Sequence, residues 1–191
     1  MSAILQELAG DLRVSERTLR RAWGRGMVRG RRVSPYRLEV PVRERVYLRR
    51  HWPTLSGLQA ALRTEPNVAM AVVFGSVARG DDDAESDVDL LVALREPGVG
   101  ARVALADRLR ERTGLVLEVV ALDDAKRHPA LLAQVLRDGR VLVDRDGRWS
   151  DLMAQRDLIR READLEGRLR SARARDAEAA FARMVEAVDE P

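Results

Sequence analysis

The sequence predicts an α+β fold: a small basic helical segment, a mixed α/β core and a long C-terminal helix. Three observations predict it. Short apolar runs at 68–74, 88–94 and 115–122 read as strands, with a helical stretch at about 99–112 between the last two. Residues 149–191 are rich in Ala, Arg and Glu, with no proline before the last position, which is the composition of one long helix. Residues 1–52 hold 13 Arg against five acids, a net charge of +8 in a chain whose total is +3. The expected divisions are 1–52, 53–148 and 149–191.

Taken in order, Ile4, Leu5, Leu8 and Leu12 have helical spacing. Ser15 is a good N-cap for a second helix running from Glu16 to Trp23, after a short link of the length a helix-turn-helix uses. Residues 27–40 read as two extended pieces around a basic turn. Two helices are expected at 42–51 and 54–64, separated by Pro53. Thr64-Glu-Pro-Asn is a turn, and the strands 68–74 and 88–94 follow. Residues 123–138 are expected to be helical with a break at Pro129, before a short strand at 140–143. In the C-terminal stretch Leu158, Leu165 and Ala172 recur every seven residues. Leu169, Phe181, Met184, Val185 and Val188 widen that apolar side, which is expected to pack on its own domain or on a partner.

Composition narrows the function classes. With 46% hydrophobic residues the chain can bury a sizeable core, filled by aliphatic side chains because aromatics make up only 4%. Cysteine is absent, so disulfides and thiolate metal sites are excluded, and a reducing compartment is expected. The first residues lack the pattern of a signal peptide, and no apolar run approaches the roughly 18–20 residues that span a bilayer. The expectation is a cytoplasmic protein without a membrane partner. Lys126 is the only lysine among 34 basic residues, a bias that genome composition explains. The concentration of Arg before residue 52 instead suggests an anion-binding N-terminus.

The most informative stretch is 74–92, in which Gly75-Ser76 ends one apolar strand and Asp87-Val-Asp89 opens the next. Glycine lets backbone approach an anion closely, and the N–H groups of such a turn can cradle phosphate. The Ser76 hydroxyl and the Arg79 guanidinium can add hydrogen bonds to phosphate oxygens. Strand alternation puts Asp87 and Asp89 on one face, about 6–7 Å apart, where two carboxylates repel unless cations neutralise them. Mg²⁺ suits such a pair, and two ions clamp the attacking and leaving oxygens of an in-line displacement. Glu118, within the apolar run Leu115–Leu122, is the expected third carboxylate, because an acid inside such a strand is costly unless used. Asp81, Asp82, Asp83 and Glu85 are expected to form a solvated acidic loop.

Residues 68–143 resemble the DNA polymerase β-type nucleotidyltransferase superfamily, in particular its minimal nucleotidyltransferase (MNT) branch. The resemblance rests on Gly75-Ser76-x-Ala78-Arg79-Gly80, on Ser86-Asp87-x-Asp89-Leu90, on the later strand with Glu118, and on Leu131–Val143. It implies that Gly75, Ser76 and Arg79 hold a nucleoside triphosphate, ATP being the expected one. It implies two Mg²⁺ ions on Asp87 and Asp89, with Glu118 contributing to the metal site and activating the acceptor hydroxyl. The family more often has Asp at that third position. Many members of the branch are antitoxins paired with a HEPN-type ribonuclease toxin, and some adenylylate it.

The N-terminal segment resembles a winged helix-turn-helix, with Arg13 where a turn glycine is usual. Arg17, Arg20 and Arg21 would then lie on a recognition helix, and Arg29, Arg31 and Arg32 on a wing against phosphate. Trp23 and Trp52 are expected in the core. Three readings follow: a Mg²⁺-dependent enzyme transferring AMP to a protein hydroxyl as an antitoxin, a DNA-binding regulator whose transferase fold senses nucleotide, and a small-molecule transferase of the aminoglycoside kind. The last ranks below the others because only residues after 149 are left to shape an acceptor cleft. Self-association is left open.

Overall fold

A computed structural model describes residues 3–34, 37–83 and 85–188, with side chains described up to residue 178. The N-terminal segment forms helices α1 (Ala3–Asp11) and α2 (Glu16–Arg25) and an antiparallel pair, β1 (Arg31–Ser34) and β2 (Arg37–Glu39). Pro35 and Tyr36, at the tip of the expected basic turn, lie outside the described residues. Ser15 caps α2 as expected, accepting from the Thr18 N–H at 3.1 Å. Leu5, Leu8, Leu19 and Ala22 bury the inner sides of the two helices.

Helix α3 runs unbroken from Val42 to Arg63, where two helices were expected. Proline removes one helical hydrogen bond, at a cost of about 3 kcal/mol in a helix interior. Here that cost is outweighed, because Tyr47, Leu48 and Trp52 before it and Leu55, Leu58 and Leu62 after it all enter one core. Pro53 and Arg49 both face solvent, so water can meet the carbonyl left without its N–H. The same core takes in the N-terminal helices, so the segments expected as 1–52 and 53–148 share a helix and a core.

The remaining elements are β3 (Val68–Phe74), α4 (Gly75–Arg79), β4 (Val88–Leu94), α5 (Val99–Thr113), β5 (Leu117–Ala121), α6 (Leu122–Ala125), α7 (Pro129–Asp138), β6 (Arg140–Asp144), α8 (Arg148–Ala154) and α9 (Arg156–Val188). Four strands form one sheet in the order β5-β4-β3-β6. Strand β3 is antiparallel to both β4 and β6, and β4 is parallel to β5 through the α5 crossover. All seven residues of β3 are buried, as a central strand covered on both faces requires. Ala71, Val73, Leu90 and Val92 face the core shared with α3 and α5, while Met70, Val72, Leu91 and Ala93 face the second core with α6, α7 and α8.

The C-terminal stretch is two helices with a turn at Gln155, not one. The turn lets Leu152 of α8 and Ile159 of α9 enter the second core together. Leu158, Leu165 and Leu169 of the expected heptad side are exposed. The side chains of Phe181, Met184, Val185 and Val188 lie outside the described ones. No helix among the described residues is long and apolar enough to cross a membrane.

Candidate active site

The end of β3 and the starts of β4 and β5 meet at one edge of the sheet, and the sequence-predicted residues gather there. The chain leaves Phe74 and turns at Gly75, whose φ of +71° lies in the left-handed region. A Cβ at this position would collide with the Asp89 carboxylate, so both the backbone and the space require glycine. Ser76 follows, half-buried, in the first turn of α4. The helix ends at Gly80, whose N–H bonds the Ser76 carbonyl at 2.7 Å.

Asp87 immediately precedes β4 and is exposed, while Asp89 is half-buried, opposite Phe74 in the antiparallel register. On the other side Asp89 lies beside Glu118 in the parallel register. Neighbours in a parallel ladder point to the same face, so Glu118 joins the two aspartates. The reason differs from the one expected. β5 is an edge strand and Glu118 is exposed, so register places it in the site and burial does not.

Burial pushes the Asp89 carboxyl above the usual carboxylate range, the charges of Glu118 and Asp87 push it further, and Arg79 opposes them. None of the three carboxylates forms an ion pair among the described residues. Three like charges in mutual range, without a protein cation bonded to any of them, fit a divalent hard cation. No three acidic or histidine side chains among the described residues close into a cage of their own.

The other predicted residues divide. Arg79 is at the site, where its Nε donates to Asp81 at 3.0 Å. Asp82 departs from the expected solvated loop: its side chain is only 11% exposed, accepts from Arg50 at 3.1 Å and lies 3.4 Å from His51 Nε2. Burial holds the His51 imidazole below its ordinary pKa, with Asp82 pulling the other way. In the N-terminal segment Arg20 pairs with Glu16, Arg31 pairs with Glu39, and Arg32 stacks over Trp23 at 5.3 Å. Arg29 donates to the Asp138 carbonyl at 2.6 Å and is partly desolvated, so it belongs to the packing of the segment against α7 and departs from the expected wing contact. Arg17 and Arg21 are exposed and make no side-chain bond among the described residues. Trp52 is buried as expected; Trp23 is half-buried and donates to the Gly30 carbonyl at 3.1 Å.

Sequence reasoning assigned no role to Glu44, Tyr47 or Arg140, which lie directly behind the turn. The Tyr47 hydroxyl donates to the Val77 carbonyl at 3.0 Å, and Arg140 Nε donates to the Ala78 carbonyl at 2.8 Å. Glu44 grips the two Arg140 Nη groups at 2.6 and 3.0 Å. Burial pushes the Tyr47 phenol up to about 12, against the pull of Arg140, so it remains a donor at neutral pH. An acid and a base 96 residues apart carry no local sign of their pairing.

Residues 57–148 match the family model for polymerase beta nucleotidyltransferases. This stretch is similar to polymerase beta nucleotidyltransferases, which supports a nucleotidyltransferase. The matched stretch holds every residue of the acidic site and its turn, whereas Glu44 and Tyr47 fall before it. Comparison with curated proteins returns no match. Among solved structures, a toxin–antitoxin with AMP-PNP is 22% identical, covers 65% of this chain and 98% of its own, and has a TM-score of 0.52. A mutant of the toxin–antitoxin MntA-HpeT is 21% identical with the same coverage and TM-score. A tri-AMPylated Shewanella oneidensis HEPN toxin in complex with MNT antitoxin is 20% identical over 69% of this chain and 98% of its own, with a TM-score of 0.46. At these identities the first two likenesses establish the fold.

Proposed function

We propose that this chain is a Mg²⁺-dependent nucleotidyltransferase that moves AMP from ATP to a hydroxyl of a protein partner, and that it is the antitoxin of a HEPN-type toxin. One observation carries the reading: Asp87, Asp89 and Glu118 lie on one face at the sheet edge, beside the Gly75–Ser76 turn. The acceptor oxygen bonds to the α-phosphorus as the bond to the bridging oxygen breaks, and pyrophosphate leaves. Glu118, exposed and beside Asp89, takes the acceptor proton. The backbone of Gly75–Ser76 and the Ser76 hydroxyl bind the triphosphate. Arg79 Nη groups have no protein partner among the described residues and can join them. Asp87 and Asp89, with Glu118, would hold Mg²⁺, which when bound neutralises charge on the phosphates and on the oxygens entering and leaving phosphorus.

The partner assignment is supported by the MNT-like motifs and by the fold shared with toxin–antitoxin structures, one of them with AMP-PNP. The test is incubation with labelled ATP, Mg²⁺ and the HEPN-type partner. Label on the partner is expected with the wild type and a loss of at least about a thousand-fold with Asp87→Ala/Asp89→Ala, given the several kcal/mol such ions supply. Equal labelling by the two proteins overturns the reading.

A second activity is favoured by the exposed Arg17 and Arg21 on the Ser15-capped α2. The N-terminal segment would bind duplex DNA through a winged helix-turn-helix, with Arg31 and Arg32 toward phosphate. Its mark is an affinity that falls steeply with salt. A full-length chain that shifts no operator-length duplex at low salt rules it out.

A further inference from the structure

Helix α4 is one turn long, so its backbone groups find few partners within it. Two of its carbonyls are taken by side chains from distant elements, Val77 by Tyr47 of α3 and Ala78 by Arg140 of β6. Arg140 is 1% exposed, and all three of its nitrogens are engaged. Besides Ala78 and Glu44, it donates to the Met27 carbonyl at 3.2 Å, and its guanidinium carbon lies 3.4 Å from the centre of the Tyr47 ring. The ring also backs Gly80, where a Cβ would come within 2.8 Å of it.

A buried ion pair is weak evidence of stabilisation, because apolar side chains of like volume often do as well. A guanidinium fork offers direction instead. Its bonds hold one short stretch of backbone in one orientation. Gripping the carbonyls at one end of a single helical turn restrains the backbone at its other end, which begins at Gly75, packed against the Asp89 carboxylate.

We infer that Tyr47 and Arg140 are positioning residues for the Gly75–Ser76 turn, so that affinity for a nucleoside triphosphate is set in part by Tyr47, which precedes the stretch matched to the family model, and in part by Arg140 within it. The affinity half of this inference rests on the nucleotidyl-transfer reading; the positioning half does not. Glu44, whose Oε1 also accepts the Arg29 N–H at 3.0 Å, links the grip to the N-terminal segment.

The test uses the full chain and three variants: Tyr47→Phe, Arg140→Lys and, as a control for lost packing alone, Leu5→Ala in the N-terminal core. Amide hydrogen exchange at residues 75–80 reads the turn without any ligand. Exchange there is faster in Tyr47→Phe than in wild type and unchanged in Leu5→Ala; equal rates in wild type and Tyr47→Phe overturn the inference. Calorimetric titration with Mg²⁺-ATP then gives a Kd about five-fold weaker for Tyr47→Phe, the worth of one net hydrogen bond. Arg140→Lys keeps the charge but loses the fork, and weakens Kd by about ten-fold or more. Leu5→Ala stays within about two-fold of wild type. A turn that exchanges faster while Kd is unchanged overturns the affinity half. Wild type that binds no nucleoside triphosphate overturns the transfer reading and the affinity half with it, while exchange still decides the positioning half.

Discussion

The acids of the sheet edge and the arginines of the N-terminal segment both stand out in the sequence, yet the fold treats them oppositely. Arg20, Arg29, Arg31 and Arg32 each meet a carboxylate, a carbonyl or a ring within the protein. Asp87, Asp89 and Glu118 instead lie within reach of one another's charge with no salt bridge among the described residues, and burial together with that charge pushes the Asp89 carboxyl above its ordinary range. A surplus of one charge is therefore a poor marker of a site, because a fold can answer it internally. Like charges held together and left unanswered are a better marker, since folding alone gains nothing from them.

This contrast can be pressed where it should matter most. Glu44→Ala leaves Arg140 buried without its carboxylate, and a loss of about 3–5 kcal/mol is expected in denaturant unfolding. A loss below about 1 kcal/mol would mean that the Arg140 charge is solvated after all. Gly75→Ala forces a left-handed residue against Asp89. It should cost about 1–3 kcal/mol in stability and remove triphosphate binding by calorimetry.

Smaller effects separate the two regions. If the N-terminal segment binds DNA, Arg17→Ala/Arg21→Ala should flatten the slope of log affinity against log salt by about 2, with an unchanged melting temperature. An unchanged slope removes these residues from the interface. Asp89→Asn, by contrast, should raise the melting temperature by about 1–3 °C near neutral pH while abolishing transfer. The gain is small because the group is partly solvated and screened. Its sign follows from the raised pKa: the carboxylate's penalty is absent below its unfolded value and complete above the folded one. The gain from Asn should therefore disappear as the pH is lowered through that window. A melting temperature that falls at neutral pH would count against the crowding of the three acids.

The strands Val68–Phe74 and Val88–Leu94 were legible residue for residue, because unbroken apolar runs bounded by turn residues leave little choice of boundary. The gathering of Gly75, Asp87, Asp89 and Glu118 was legible as well, though Glu118 arrives through register and not through burial. What failed depends on contacts distant in sequence. Pro53 ends a helix by local rules and is overruled by the core beneath it. Asp82 looks like its neighbours Asp81 and Asp83 until α3 places Arg50 and His51 against it. The turn at Gln155 answers to the seating of Leu152 and Ile159, which no local composition reveals.

The unbroken course of α3 bears on how this chain could be taken apart or rebuilt. Cutting between Trp52 and Pro53 severs a helix in mid-course, strips Leu55, Leu58 and Leu62 of their neighbours, and removes the hydroxyl on which the Val77 carbonyl rests. The smallest fragment retaining the site must therefore begin no later than about residue 42. By the same token, a foreign N-terminal module cannot be grafted at that junction like a bead on a string. It would have to bring its own tyrosine and glutamate, at the right height on the shared helix.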